Sequence, residues 1–206
     1  MLTKTQIRIF EQFLKNVFAE YTYKDIKTLS KEKSNDTFHS AIQRFKNEEL
    51  VHEKIIGKSK LYSIRLSNEI SYSYLSIAAL NKLNKNIRKI LQELIDEIDR
   101  YTIFYSLVIF GSYADNTQTK KSDLDIAIII ENKYKEHEIK TAINSISKIS
   151  LIDLDCHIIT KEEFLEMLKA DYENLGKQIA RKNLPIHNNY IFYKIIKIGV
   201  ENGSKY

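Results

Sequence analysis

The chain has no tryptophan, two methionines, one proline, one cysteine and five glycines among its 206 residues. A single thiol, Cys156, excludes an internal disulfide and leaves no cysteine pair for a structural zinc site, and the five histidines show no zinc-ligand spacing. Cys156 lies in an apolar run and reads as a core residue, which fits a reducing compartment. No stretch reaches eighteen consecutive apolar residues, and Met1-Leu-Thr-Lys does not open the long apolar segment of a signal peptide. We therefore expect a cytoplasmic protein with no membrane partner. Gly-x-x-x-x-Gly-Lys is missing, which argues against a P-loop enzyme, and without Gly-x-Ser-x-Gly there is no nucleophile elbow. Repeats and low-complexity tracts are missing too.

What remains is 43% hydrophobic and 29% charged, the balance of a folded protein whose length allows one or two domains. The net charge of +5 is unevenly placed: residues 1–70 carry thirteen Lys and Arg against nine Asp and Glu, and residues 71–206 carry nineteen against eighteen. A basic first third beside a nearly neutral remainder is the distribution of a nucleic-acid-binding module joined to an enzyme-like domain.

Chemistry concentrates between Ser106 and Ile130, SLVIFGSYADNTQTKKSDLDIAIII. Val108, Ile109 and Phe110 end an apolar run at Gly111-Ser112, and Asp123-Leu-Asp125 opens another that continues to Ile130. This reads as strand, phosphate-cradling loop, strand. Side chains alternate along a strand, so Asp123 and Asp125 emerge on one face, spaced to hold one or two cations. Hard divalent ions take one or two carboxylates plus phosphate oxygens, which suits a metal-nucleotide complex. Gly111 lets backbone N–H groups approach phosphate, and the Ser112 hydroxyl adds a donor.

Gly111-Ser112, ten residues, then Asp123-x-Asp125 resembles the signature of the polymerase beta type nucleotidyltransferase superfamily. Gly-Ser-Tyr-Ala followed by Ser122-Asp-Leu-Asp is most similar to its minimal nucleotidyltransferases. The resemblance implies a fold with a small mixed sheet and helices, and transfer of a nucleoside monophosphate from an NTP, with ATP foremost, to a hydroxyl acceptor, protein or RNA. It implies Mg²⁺ or Mn²⁺ as cofactor, Gly111, Ser112 and Ser122 as nucleotide-binding residues, and Asp123 and Asp125 as catalytic metal ligands. A third carboxylate is expected on a neighbouring strand, where Leu151–Thr160 offers Asp155, with Asp153 as the alternative. Thr160-Lys-Glu-Glu163 then starts a helix as a capping box, which favours Asp155. Where the minimal enzymes usually carry Arg-Gly after the Ala, this chain has Asp115-Asn116. Asn tolerates a left-handed turn, but a cation is exchanged for an anion, and Lys120 and Lys121 are the nearest replacements in sequence.

The N-terminal part has a different pattern. Ile7, Phe10, Leu14 and Val17 give an amphipathic helix over about 4–15; Thr22 with Asp25 caps a short second one; Ser34 caps a third with Phe38, Ala41, Ile42 and Phe45 inward. From Val51 to Leu66 the period changes to two about Gly57-Lys58, a hairpin. Helices followed by a basic-tipped hairpin resemble a winged helix-turn-helix. That implies DNA as partner, with Asn35, Thr37, His39, Ser40, Gln43 and Arg44 facing the major groove, Gln43 and Arg44 foremost, and Lys54, Lys58 and Lys60 near phosphate. A dimerisation or docking domain is the alternative, and a homodimer is compatible with both.

The fold class expected is α+β: a winged helix domain over 1–70, a helical connector and first helix over 71–100, and a nucleotidyltransferase domain over 101–206 with its C-terminal helices. Helical patterns recur over 133–147, 160–168, 172–181 and 188–200, with Pro185 read as an interruption. Function reads as a nucleotidyltransferase coupled to a DNA-binding module. The alternatives are a DNA-binding regulator whose second domain senses nucleotide or is inactive, and an antitoxin-like enzyme acting on a HEPN-type toxin.

Overall fold

Side-chain caps open most of the helices. Thr22 and Thr160 form capping boxes with Asp25 and Glu163, and Ser34, Asn68, Asn84 and Asn174 each accept a hydrogen bond from an N–H of the first turn they start. The computed structural model describes residues 1–201 and 203, and the chain divides into two units, 1–82 and 83–206.

The first unit runs α1 (Lys4–Phe10), a 3₁₀ turn (Glu11–Lys15), β1 (Tyr21–Thr22), α2 (Tyr23–Ser30), α3 (Asn35–Asn47), β2 (Val51–Ile56), β3 (Ser59–Ile64) and α4 (Glu69–Asn81). The strands form an antiparallel sheet in the order β1-β3-β2. Phe10, Phe13, Phe38 and Phe45 are fully buried, with the ring of Phe10 edge-on to that of Phe45. The apolar faces of α1 and α3 thus meet in one aromatic core.

In the second unit α5 (Lys85–Asp99) leads to β4 (Tyr105–Phe110), α6 (Gly111–Asp115) and β5 (Leu124–Ile130), then α7 (Glu136–Ser147), β6 (Leu154–Thr160) and α8 (Lys161–Lys169). After them come α9 (Leu175–Arg181), β7 (Asn183–His187) and α10 (Asn189–Glu201). The sheet order is β6-β5-β4-β7, parallel only between β5 and β6, so the sheet is mixed and the fold class α+β. Every residue of β4 is buried, as are all of β5 except Asp125, which explains their unbroken apolar runs. β4 ends where β5 and β6 begin, so Gly111, Asp125 and Asp155 gather at one end of the sheet.

Three local features differ from the sequence pattern. The stretch after Phe110, read as a loop, winds into the single turn of α6. Helix does not run continuously over 172–181: Asn174 caps α9 and the turn before it is open. Pro185 does not interrupt a helix but sits inside β7, opposite Val108. β7 is an edge strand and its register shifts beside Val108, the setting in which a residue without an N–H is tolerated in a sheet.

Candidate active site

Gly111 follows the last residue of β4 with φ +64°, and a Cβ there would lie 2.2 Å from Asp125 Oδ2 and 3.0 Å from its Cγ. The carboxylate therefore occupies the space that a side chain at 111 would fill. The Ser112 N–H donates to Asp125 from the same turn. Asn116 closes the turn at φ +57°, the left-handed conformation that Asn accepts more readily than most residues. The Asp115-Asn116 pair is thus accommodated in the backbone without a glycine.

Asp125 stands directly opposite Asp155 in the parallel register of β5 and β6. Burial, then the charges of Asp155 and Asp123, push the Asp125 carboxyl above the usual carboxylate range, while His157 and the Ser112 N–H pull it partly back. Three like charges around one end of a sheet, the middle one half-buried, make a place that favours a cation. Among the described residues, no three His, Cys, Asp or Glu side chains close on a common point tightly enough to hold an ion by themselves. Asp123 is exposed, just ahead of β5, and Asp155 is 56% exposed and 3.3 Å from His157 Nε2. The strand alternation that groups Asp155 with His157 is seen in the structure, and the His157 ring also lies against Phe110. Asp153 is exposed before β6, and its carbonyl accepts the N–H of Leu124.

Ser122 accepts the Thr119 N–H at 2.9 Å and lies 3.2 Å from the Thr119 hydroxyl, so its side chain braces the loop that delivers Asp123. Lys120 and Lys121 are exposed on that loop. A cavity of about 400 Å³ opens beside Gly111 and Ser112, and its far wall is Gln178, Arg181 and Lys182. None of these three stands out in the sequence. The signal that places them is the register of β7, whose first residue Asn183 pairs with Phe110.

In the first unit, Asn35, Thr37, His39, Ser40 and Gln43 are exposed along α3, and Lys54, Lys58 and Lys60 are exposed on the hairpin. Arg44 is half-buried and donates to Glu48 Oε1 (2.7 Å), Gln6 Oε1 (3.0 Å) and the Met1 carbonyl (2.8 Å), so its fork ties α3 to the N-terminal segment. Lys54 pairs with Glu20 at 3.1 Å, and Lys60 with Glu53 at 3.7 Å. Among the described residues, no helix is long and apolar enough to cross a membrane.

No curated protein matches the chain. A solved structure described as "Crystal structure of the toxin-antitoxin with AMP-PNP" is 17% identical, with a TM-score of 0.37 over 58% of this chain and 88% of that one. At that similarity nothing about ligand or partner transfers. The model of the family described as "Nucleotidyltransferase domain" matches residues 85–196, from the start of α5 into α10. That span takes in the Gly-Ser turn, both paired strands and the far wall of the cavity, and since it exceeds half of the chain, the protein belongs to the nucleotidyltransferase domain family.

Proposed function

We propose that the second unit transfers a nucleoside monophosphate from an NTP, ATP foremost, to a hydroxyl on a protein or RNA acceptor. The observation that carries this reading is the seating of the Asp125 carboxylate in the side-chain space of Gly111, with Asp155 in register beside it. The residues fit a divalent ion: the donors are hard carboxylates that crowd one another, and such an ion, carried in on phosphates, needs only one or two of them. Bound there, Mg²⁺ or Mn²⁺ would supply positive charge to the phosphates and lower the pKa of the acceptor hydroxyl.

The chain's own part is positioning. Asp123 and Asp125 would hold the ion, Asp155 would complete a second metal site, and the Gly111-Ser112 turn would let phosphate oxygens approach the backbone. His157 beside Asp155 limits where that carboxylate can swing. Ser122 acts one step back, by fixing the loop before Asp123. The acceptor oxygen bonds to the α-phosphorus, the α–β phosphoanhydride bond breaks, and pyrophosphate leaves. Orientation and fixed charge supply the rate.

For the first unit we infer a winged helix-turn-helix that binds DNA. Its element order supports this, as do the exposed polar face of α3 and the lysines of the hairpin. Gln43, His39, Asn35, Thr37 and Ser40 are the residues offered to a groove. Arg44 reads bases only after giving up three hydrogen bonds, so it is the least available of the set.

The test is transfer of label from α-labelled nucleotides to protein and RNA in a lysate of the source cell, with and without Mg²⁺, for wild type and Asp123→Ala/Asp125→Ala. Label that needs both Mg²⁺ and the two carboxylates is the expected result, and its size identifies the acceptor class. Label that survives in the variant overturns the assignment. A second reading, a DNA-binding regulator that only senses nucleotide, is favoured by Asp115, an anion in the wall of the phosphate cavity. It predicts nucleotide binding by calorimetry with no transfer.

A further inference from the structure

The cavity beside Gly111 and Ser112 raises a question of charge. On this side of the active site Asp115 stands where the minimal enzymes usually carry a cation, yet a triphosphate must be held there. The structure brings positive charge from far along the chain: Arg181 ends α9 and Lys182 precedes β7, both in the cavity wall. Arg181 is turned to Glu173 and to the Lys177 carbonyl. Lys182 faces the other way, with Nζ 2.6 Å from Asp115 Oδ2. The register that pairs Asn183 with Phe110 fixes this placement, because it sets the residue before Asn183 across from the residues after Phe110.

We propose that Lys182 is the phosphate-binding cation of this site and that Asp115 is its resident counter-ion, displaced when a nucleoside triphosphate enters. The inference rests on the nucleotidyltransferase reading above and adds to it a ligand and a competitor. The Lys182 and Asp115 side chains are 58% and 42% exposed, so their pair is screened and weakly held. A triphosphate carries several times the charge of one carboxylate and accepts stronger, charge-assisted hydrogen bonds from an ammonium. Asp115, already in contact with solvent, can turn outward without being buried unpaired. The exchange leaves a signature: Asp115 competes with substrate, so the same pair that orders the empty site raises the nucleotide concentration needed to fill it.

The test uses the full chain. Initial rates of transfer are measured against ATP concentration at saturating divalent ion, for wild type, Lys182→Gln, Lys182→Arg and Asp115→Asn, together with calorimetric binding of a non-hydrolysable ATP analogue and thermal melting. Lys182→Gln should raise KM and Kd about tenfold or more, with kcat changed much less, and Lys182→Arg should restore most of the loss. Asp115→Asn should lower both constants several-fold. The opposite signs are diagnostic, since breaking a purely structural ion pair from either side lowers stability and moves binding in the same direction or not at all. Either of those patterns, with wild-type transfer intact, overturns the inference alone. A wild type that binds no nucleotide overturns the reading of the site and this inference with it.

Discussion

Gly111→Ala is the sharpest test of how the site is built. Two separable penalties follow from the geometry. The first is conformational: φ +64° is left-handed, and an L side chain there costs about 1–2 kcal/mol. The second is steric: the new Cβ would lie 2.2 Å from Asp125 Oδ2, so the carboxylate must move by about an ångström or more to reach ordinary contact. Moving it breaks the Ser112 N–H contact and takes Asp125 out of line with Asp155. A displacement of that size at a reacting centre lowers turnover about 100-fold or more. Gly57→Ala is the matched control, because Gly57 has φ +59° and nothing within 4 Å of the Cβ position. It carries the conformational penalty without the steric one, and it lies in the hairpin of the other unit. Urea denaturation and α-labelled ATP transfer should show both variants destabilised by about 1–2 kcal/mol or more, and only Gly111→Ala inactive. A Gly111→Ala protein that transfers label at close to the wild-type rate would refute the claim that Asp125 needs the space at 111.

Other residues give independent checks. Arg44→Ala should destabilise the first unit by about 1–3 kcal/mol in chemical denaturation, because it removes a charged donor from three partners, whereas Gln43→Ala should leave stability within about 0.5 kcal/mol and weaken DNA binding. Lys58→Gln should reduce the salt dependence of DNA affinity by about one unit of slope, measured by titration across ionic strengths, and a slope unchanged would remove the hairpin from the interface. Burial pushes the Cys156 thiol up to about 12, so at pH 8 only about one part in ten thousand is thiolate, and a disulfide reagent should react slowly until denaturant is added. His187 is held below its ordinary value of 6.5 by burial, only partly offset by Asp99, and its Nε2 is buried with no hydrogen-bond partner among the described residues. A lowered folded value means that the unfolded chain binds the extra proton first. Stability should thus fall as pH drops below about 6.5 towards the folded value, and His187→Leu should flatten that part of the curve.

Local rules carried much of the fold because they need only neighbours in sequence. Thr22 with Asp25 and Thr160 with Glu163 form the capping boxes their spacing predicts, and the apolar run opened by Leu124-Asp125 is a strand to Ile130, with Asp123 just ahead of it. Gly111 was legible as a glycine that something must approach; that the approaching group is the Asp125 carboxylate was not. Pro185 misled for a physical reason. Five residues, NLPIH, with a proline at the centre satisfy no strand template, and only pairing along the free side of β4 makes a strand of them. Arg44 is the same kind of case: helical periodicity puts it beside Gln43 on a polar face, but α1 brings Gln6 and the Met1 carbonyl to its fork, and no periodicity within α3 contains that information.

The consequence is larger than one unforeseen strand. With β7 unread, the Gly-Ser turn followed by Asp115 looks short of positive charge, and the only cations near it in sequence are Lys120 and Lys121 on an exposed loop. With β7 in place, the residues that precede it become the opposite wall of the same cavity. The carboxylate half of the site is thus encoded in one stretch around β4 and β5 plus Asp155, and the cationic half in the junction of α9 and β7. The register of an edge strand joins the two. A one-residue slip of β7 against β4 would move Lys182 from its place opposite the turn after Phe110 and turn the strand's own side chains to the other face of the sheet. Phe110, Ile109 and Val108 meet Asn183, Leu184 and Pro185 in unbroken register, and the irregularity comes only beyond them, at Ile186, so the part of β7 next to the site is the regularly paired part.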